Sequence, residues 1–184
     1  MKKTLVDLFE LSVKTYPNNT FLLEKTGKEF EPTTYKQVQE QVYKIGAGLQ
    51  ALGVKKGDTM ALLSEGRNMW VMGELAMFYA GAINVPLSIK LEESNDLLFR
   101  LVHAEVKYIM VSGQQLKKIR LIKEKLPLVE KIIVFDEPVA GLDPKGRADV
   151  VKMIGEYRDK YNATVLIISH NMEDMAIIAD KLLV

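Results

Sequence analysis

Apolar residues along this chain switch repeatedly between three-four spacing and short unbroken runs. Tyr35, Val38, Val42, Ile45, Leu49 and Leu52 recur every three or four positions, which marks one buried stripe on a helix over 34–52. Thr34 with Gln37 three residues later fits a capping box at its start. Residues 4–16, 67–80, 93–104, 114–126, 144–161 and 171–180 read as further helices. Between them lie the apolar runs 59–64 (TMALLS), 83–88, 107–111 (KYIMV), 131–135 and 164–169 (TVLIIS), with a last short one at 182–184, which predict strands. Segment 21–30 predicts a hairpin around Lys25-Thr26-Gly27-Lys28, because Gly27 can supply the positive φ of a tight turn.

Strands and helices that alternate with short connections specify an open parallel sheet covered on both faces. Right-handed crossovers leave few topologies. The expected fold is α/β: a three-layer, doubly wound parallel sheet of flavodoxin-like or Rossmann-like type, with an N-terminal helix and β-hairpin beside it. Counted from residue 59, the strands are expected in the spatial order 2-1-3-4-5.

At 184 residues the chain fits one domain, and a domain of that size buries about 70% of its unfolded surface. Its 25 basic and 24 acidic residues nearly cancel, and no basic tract interleaved with aromatics points to nucleic acid. The absence of cysteine removes disulfides, thiolate nucleophiles and zinc-thiolate sites together. Met1-Lys2-Lys3 is basic, but Asp7 and Glu10 soon interrupt the apolar residues after it, so no signal peptide is expected. The most apolar window, 71–89, contains Glu74 and Asn84 and is too broken for a membrane span. A cytoplasmic protein, as in recombinant expression, is expected. It should be a monomer or weak homo-oligomer with no cofactor or partner.

The most diagnostic wording is IIVFDEPVAGLDP at 132–144, an apolar strand ending in Asp136-Glu137. At such a strand end one carboxylate can hold Mg²⁺ while its neighbour orients a water. The run VLIISHNMED then puts His170 at the end of a second apolar strand. In this order, these phrases resemble the C-terminal half of an ABC-transporter ATPase of energy-coupling-factor type. That resemblance implies Asp136 as the Mg²⁺-linked acid, Glu137 as general base and His170 as the γ-phosphate sensor. The triphosphate cradle G-x-x-x-x-G-K-[ST] is missing, since Gly27-Lys28 is followed by Glu29 and has Leu22 where the first glycine belongs. Ser112-Gly113-Gln114-Gln115 comes near the ATPase signature and is set aside, because its surroundings carry another family's wording. Without the cradle, Asp136, Glu137 and His170 are read as inert remnants, with no catalytic residue and no metal site expected. Asp143 before Pro144 is read as a helix cap.

Upstream, Thr34-Tyr35, Gly53-Val54-Lys55-Lys56-Gly57-Asp58 and EGRNMWVMGELAMFYAGAINVPL at 65–87 resemble the N-terminal part of adenylate-forming enzymes, especially long-chain fatty acyl-CoA ligases. The Ser/Thr/Gly-rich phosphate loop and C-terminal lid of such ligases are missing. Two partial families therefore meet, at a join placed within 131–137 in one recombined domain spanning 1–184. The expected function is that of an engineered chimeric scaffold with no evolved catalysis. One alternative is weak nucleotide or anion binding at the carboxyl ends of strands, around Ser64, Glu65, Gly66, Ser112 and Gly113. Another is a natural fusion fragment with residual ATPase-like activity. Trp70, Met72, Met77, Phe78 and Tyr79 are expected to fill the core.

Overall fold

The computed structural model describes residues 3–135 together with Lys152, Gly155 and Glu156. These fall into two compact units, one of residues 1–60 and 66–84, the other of 61–65 and 85 onward.

The first unit opens with α1 (Leu5–Thr15), whose N-terminus carries a reciprocal capping box. The Asp7 N–H donates to Thr4 Oγ1 at 3.1 Å while Asp7 Oδ2 accepts from the Thr4 N–H at 2.8 Å. Phe9 and Val13 are its buried face, and the Phe9 ring lies 5.6 Å from that of Phe21. Strands β1 (Thr20–Thr26) and β2 (Glu29–Thr34) form the expected hairpin. Thr26 pairs with Glu29, which leaves Gly27 and Lys28 as the turn, and Gly27 adopts φ 64°. α2 (Tyr35–Ala51) begins at the predicted Thr34–Gln37 box and buries Val38, Val42, Ile45 and Leu49. It packs against α3 (Asn68–Ala80). There Gly46 makes the close approach, with the Ala76 carbonyl 3.4 Å from where a Cβ would stand.

The second unit contains most of a four-stranded parallel sheet built from β3 (Thr59–Leu63), β4 (Ile83–Leu87), β5 (Tyr108–Ser112) and β6 (Lys131–Phe135). Their spatial order is β4-β3-β5-β6, the first four places of the expected 2-1-3-4-5. β5 and β6 run parallel in unbroken register from Tyr108–Lys131 to Ser112–Phe135. Residues 164–169, expected as the fifth strand, lie outside the described residues.

One sheet face presents Ala61, Leu63, Ile109, Val111, Ile132 and Val134 to Leu97, Leu101, Leu116, Ile119 and Ile122. By strand alternation Leu62, Met110, Ile133 and Phe135 point the other way, and all are buried. Burial on both faces is what gives these strands their unbroken apolar runs, and the fold is the expected three-layer α/β type.

Two helices depart from their sequence expectation. Over 93–104 the first turn is a π-helix, Glu93–Leu97, in which the Leu97 N–H donates to the Glu92 carbonyl; α4 (Leu98–His103) follows. Over 114–126 the helix shortens to α5 (Leu116–Ile122) and tightens into a 3₁₀ turn at Lys123–Lys125. Pro127 explains the ending, because the residue before a proline is pushed out of the helical region, and Leu126 sits at φ −115°, ψ 73°. Lys152, Gly155 and Glu156 are helical, inside the helix expected over 144–161.

Candidate functional site

In a doubly wound sheet the ligand crevice forms where successive crossovers depart in opposite directions, beyond the carboxyl ends of the strands. Here that point lies between β3 and β5: β4 flanks β3 on one side, and β5 then β6 extend from the other. Ser64 and Glu65 follow the last residue of β3, Ser112 ends β5, and Gly113 comes next. Ser64 and Ser112 are buried, and Glu65 and Gly113 are half-buried. Gly66 is exposed and belongs to the other compact unit, so the structure collects four of the five expected crevice residues.

Gln115 completes the arrangement. Its N–H donates to the Ser112 carbonyl at 3.1 Å, closing a turn that carries its side chain back over the strand ends. From there Gln115 Nε2 donates to Glu65 Oε1 at 2.6 Å, tying the end of β5 to the end of β3. The Ser64 hydroxyl donates to the Glu65 carbonyl at 3.2 Å. Ser112 Oγ and Gln115 Oε1 are shut off from solvent and make no hydrogen bond among the described residues. Buried polar atoms without partners are rare, because each forfeits its hydration.

Gln115 was legible only as part of a near-match to a motif. The usable signal was its spacing, three residues after the end of a buried strand, which is the reach of one turn.

The set offers a carboxylate, a hydroxyl and an amide, and it contains no cation and no nucleophile–base pair. Its unpartnered atoms, Ser112 Oγ and Gln115 Oε1, can accept hydrogen bonds from a donor. Asp136, Glu137, Asp143 and His170 lie outside the described residues, although Phe135, directly before Asp136, pairs with Ser112. Among the described residues no group of three or more His, Cys, Asp or Glu could hold a metal ion. No described helix is long and apolar enough to cross a membrane.

The expected core residues on α3 divide. Met72 and Met77 are buried, whereas Trp70, Phe78 and Tyr79 are half-buried. Trp70 lines an open cleft, and Tyr79 turns its hydroxyl to the Glu10 carboxylate.

Comparison with known proteins finds both resemblances. The family model of AMP-binding enzymes matches residues 9–178. The energy-coupling factor transporter ATP-binding protein EcfA2 of Caldanaerobacter subterraneus subsp. tengcongensis is 46% identical over 74 residues, which are 40% of this chain and 26% of that protein. Among solved structures, the anthranilate CoA ligase AuaEII in complex with anthranoyl-AMP matches with TM-score 0.63 and 27% identity, over 70% of this chain and 24% of that one. The A-PCP didomain of carboxylic acid reductase from Segniliparus rugosus, in complex with AMP, matches 97% of this chain and 26% of its own with TM-score 0.75. At 17% identity that last likeness speaks to the fold alone. The chain spans about a quarter of the length of these relatives and combines segments of two families.

Proposed function

The chain belongs to the AMP-binding enzyme family, and from that premise we propose that it is an engineered recombination of two α/β families. Its role is to fold as a scaffold rather than to turn over a substrate. The observation that carries this reading is the ladder between β5 and β6, in which the strand with ATPase wording continues the sheet in register, from Tyr108–Lys131 to Ser112–Phe135. Natural fusions more often join whole domains through a linker.

A 74-residue stretch in a chain of 184 must begin at or before residue 111. If it takes in the 132–144 wording, it also takes in Ser112-Gly113-Gln114-Gln115. We therefore read the two families as overlapping across β5 and β6 rather than abutting at one residue. Both cradles that would hold a nucleotide triphosphate are missing from the sequence, and such cradles supply most of the positioning in phosphoryl transfer.

A melting experiment with and without Mg-ATP tests the reading, because a ligand that favours the folded state raises the midpoint by mass action. No shift at millimolar nucleotide is expected, with ATP hydrolysis at background in the parent and in Glu137→Gln alike. A rise of several degrees, or hydrolysis that vanishes in Glu137→Gln, would sink the scaffold reading. A second reading, a ligand at the strand ends, is favoured by the unpartnered Ser112 Oγ and Gln115 Oε1. Both atoms can accept a hydrogen bond, so that ligand would offer hydrogen-bond donors.

A further inference from the structure

In the first unit, side chains from α1, α2 and α3 meet at a single oxygen. The Tyr43 hydroxyl donates to Glu10 Oε1 at 2.7 Å, and the Tyr79 hydroxyl donates to the same atom. A carboxylate oxygen has two lone pairs, and here each is taken by a phenol. Gln39 Nε2 holds the group in place, donating to Glu10 Oε2 at 2.7 Å and to the Tyr43 hydroxyl oxygen at 3.0 Å. The two phenol rings touch edge to face, with centroids 5.3 Å apart and planes at 70°. Tyr43 is 47% exposed, so a reagent in solution reaches the pair from its side.

A phenol near neutral pH gives up an electron readily only if its proton leaves as well, because the oxidised phenol is a strong acid. At this site the base is already hydrogen-bonded to both hydroxyls, which is the geometry that general-base catalysis requires. A radical partner is also in place. Ring contact turns the encounter of two tyrosines into a step within one molecule. Among the described residues no other two tyrosine rings are in contact.

We propose that Tyr43 and Tyr79 form a site of oxidative cross-linking, where a one-electron oxidant joins α2 to α3 through a dityrosine bond and Glu10 accepts the protons. Each tyrosine loses one electron to the oxidant and its hydroxyl proton to Glu10 Oε1, which releases the first proton to solvent before the second arrives. The two tyrosyl radicals then form a carbon–carbon bond between ring positions ortho to each oxygen. The hydrogens on those carbons move to the oxygens as both rings regain aromaticity. Two electrons and two protons leave in all, and both hydroxyls are restored.

The full chain exposed to photogenerated ruthenium(III) tris-bipyridyl, a one-electron oxidant, should develop dityrosine fluorescence and lose two hydrogens in intact mass. A proteolytic digest should place the bond between Tyr43 and Tyr79, with a yield per molecule that does not change with protein concentration. Tyr43→Phe and Tyr79→Phe keep the rings and should each abolish the bond, whereas Tyr16→Phe, at an exposed tyrosine outside the pair, should leave the yield unchanged. Glu10→Gln keeps an acceptor oxygen but cannot take up a proton, and should slow the coupling about tenfold or more. Unchanged far-UV circular dichroism would show that each variant is folded. The proposal is overturned if the bond maps to another pair or forms only between molecules, if either tyrosine variant still couples like the parent, or if folded Glu10→Gln reacts as fast as the parent.

Discussion

The two compact units are held by different chemistry. In the second, the sheet core is almost wholly apolar, and the largest fully buried side chains include Leu97, Leu101, Ile109, Met110, Leu116, Ile119 and Phe135. In the first, α1, α2 and α3 are also tied by polar side chains. Gln39 Nε2 donates to Glu10 Oε2 at 2.7 Å, the Tyr43 hydroxyl donates to Glu10 Oε1 at 2.7 Å, and the Tyr79 hydroxyl donates to the same oxygen. A single carboxylate thus joins three helices. Apolar burial is insensitive to pH and punishes any loss of volume, whereas a network of tyrosine hydroxyls on one carboxylate responds to ionisation of the tyrosines and to loss of the acceptor.

The contrast is broken most forcefully in the sheet. Ile109 is fully buried between strands and helices, so Ile109→Ala should cost about 2–5 kcal/mol through lost burial and a residual cavity. Denaturant midpoints would check it. A cost below that of the Glu10 variant would mean that the sheet core repacks easily and that the two units do not differ as described.

A smaller loss is expected at Glu10. Glu10→Leu would leave the half-buried Tyr79 hydroxyl without its acceptor, at about 1–3 kcal/mol, while Gln39 Nε2 keeps its bond to the exposed Tyr43 hydroxyl. The same network fixes the alkaline behaviour. Burial, and then the hydrogen bond to Glu10, raise the Tyr79 phenol far above the usual tyrosine range; Tyr43 is raised first by its hydrogen bond to Glu10. A group whose folded pKa lies above its unfolded value contributes stability that is fully present below the unfolded value. Here that value is about pH 10, and the contribution is lost as pH rises beyond it. The parent should therefore lose stability steeply above about pH 10, and Tyr79→Phe should flatten that loss. Equal alkaline slopes in parent and variant would remove Tyr79 from the account.

Most of the architecture was legible because it rests on local signals. The Thr34–Gln37 box, the stripe from Val38 to Leu49, the Gly27 turn and the apolar runs at 59–64, 107–111 and 131–135 all act over a few residues. What escaped depends on distant partners. The Glu10 network joins residues up to 69 positions apart, and no periodicity announces it. Trp70 looked like core because its helix is apolar nearly all round, yet only tertiary packing decides which face stays open. At the strand ends the sequence located Ser64, Glu65, Ser112 and Gly113 from topology alone. It missed Gln115, whose role comes from a side chain folding back across a turn.

The finest comparison is between two helix ends, one in each unit, that use the same closing motif with different residues. α3 closes with the Ala82 N–H on the Met77 carbonyl and the Gly81 N–H on that of Phe78. α4 closes with the Val106 N–H on the Leu101 carbonyl and the Glu105 N–H on that of Val102. Both are Schellman endings, which require a left-handed residue after the cap. Gly81 supplies it at φ 81°, whereas Glu105 is forced to φ 50°, the only non-glycine residue with positive φ among those described. A side chain in that region costs about 1–2 kcal/mol, and glycine avoids most of it while giving up some unfolded-state entropy. Glu105→Gly should therefore stabilise the protein by about 0.5–1 kcal/mol, since Glu105 is exposed and leaves no contact behind. Gly81→Ala should go the other way by at least as much, because its Cβ would also come within 3.2 Å of the Lys56 backbone. Paired denaturant melts decide the point. If Glu105→Gly destabilises while Gly81→Ala is silent, the strain lies elsewhere, and the two endings are not the equivalent structures their hydrogen bonds make them.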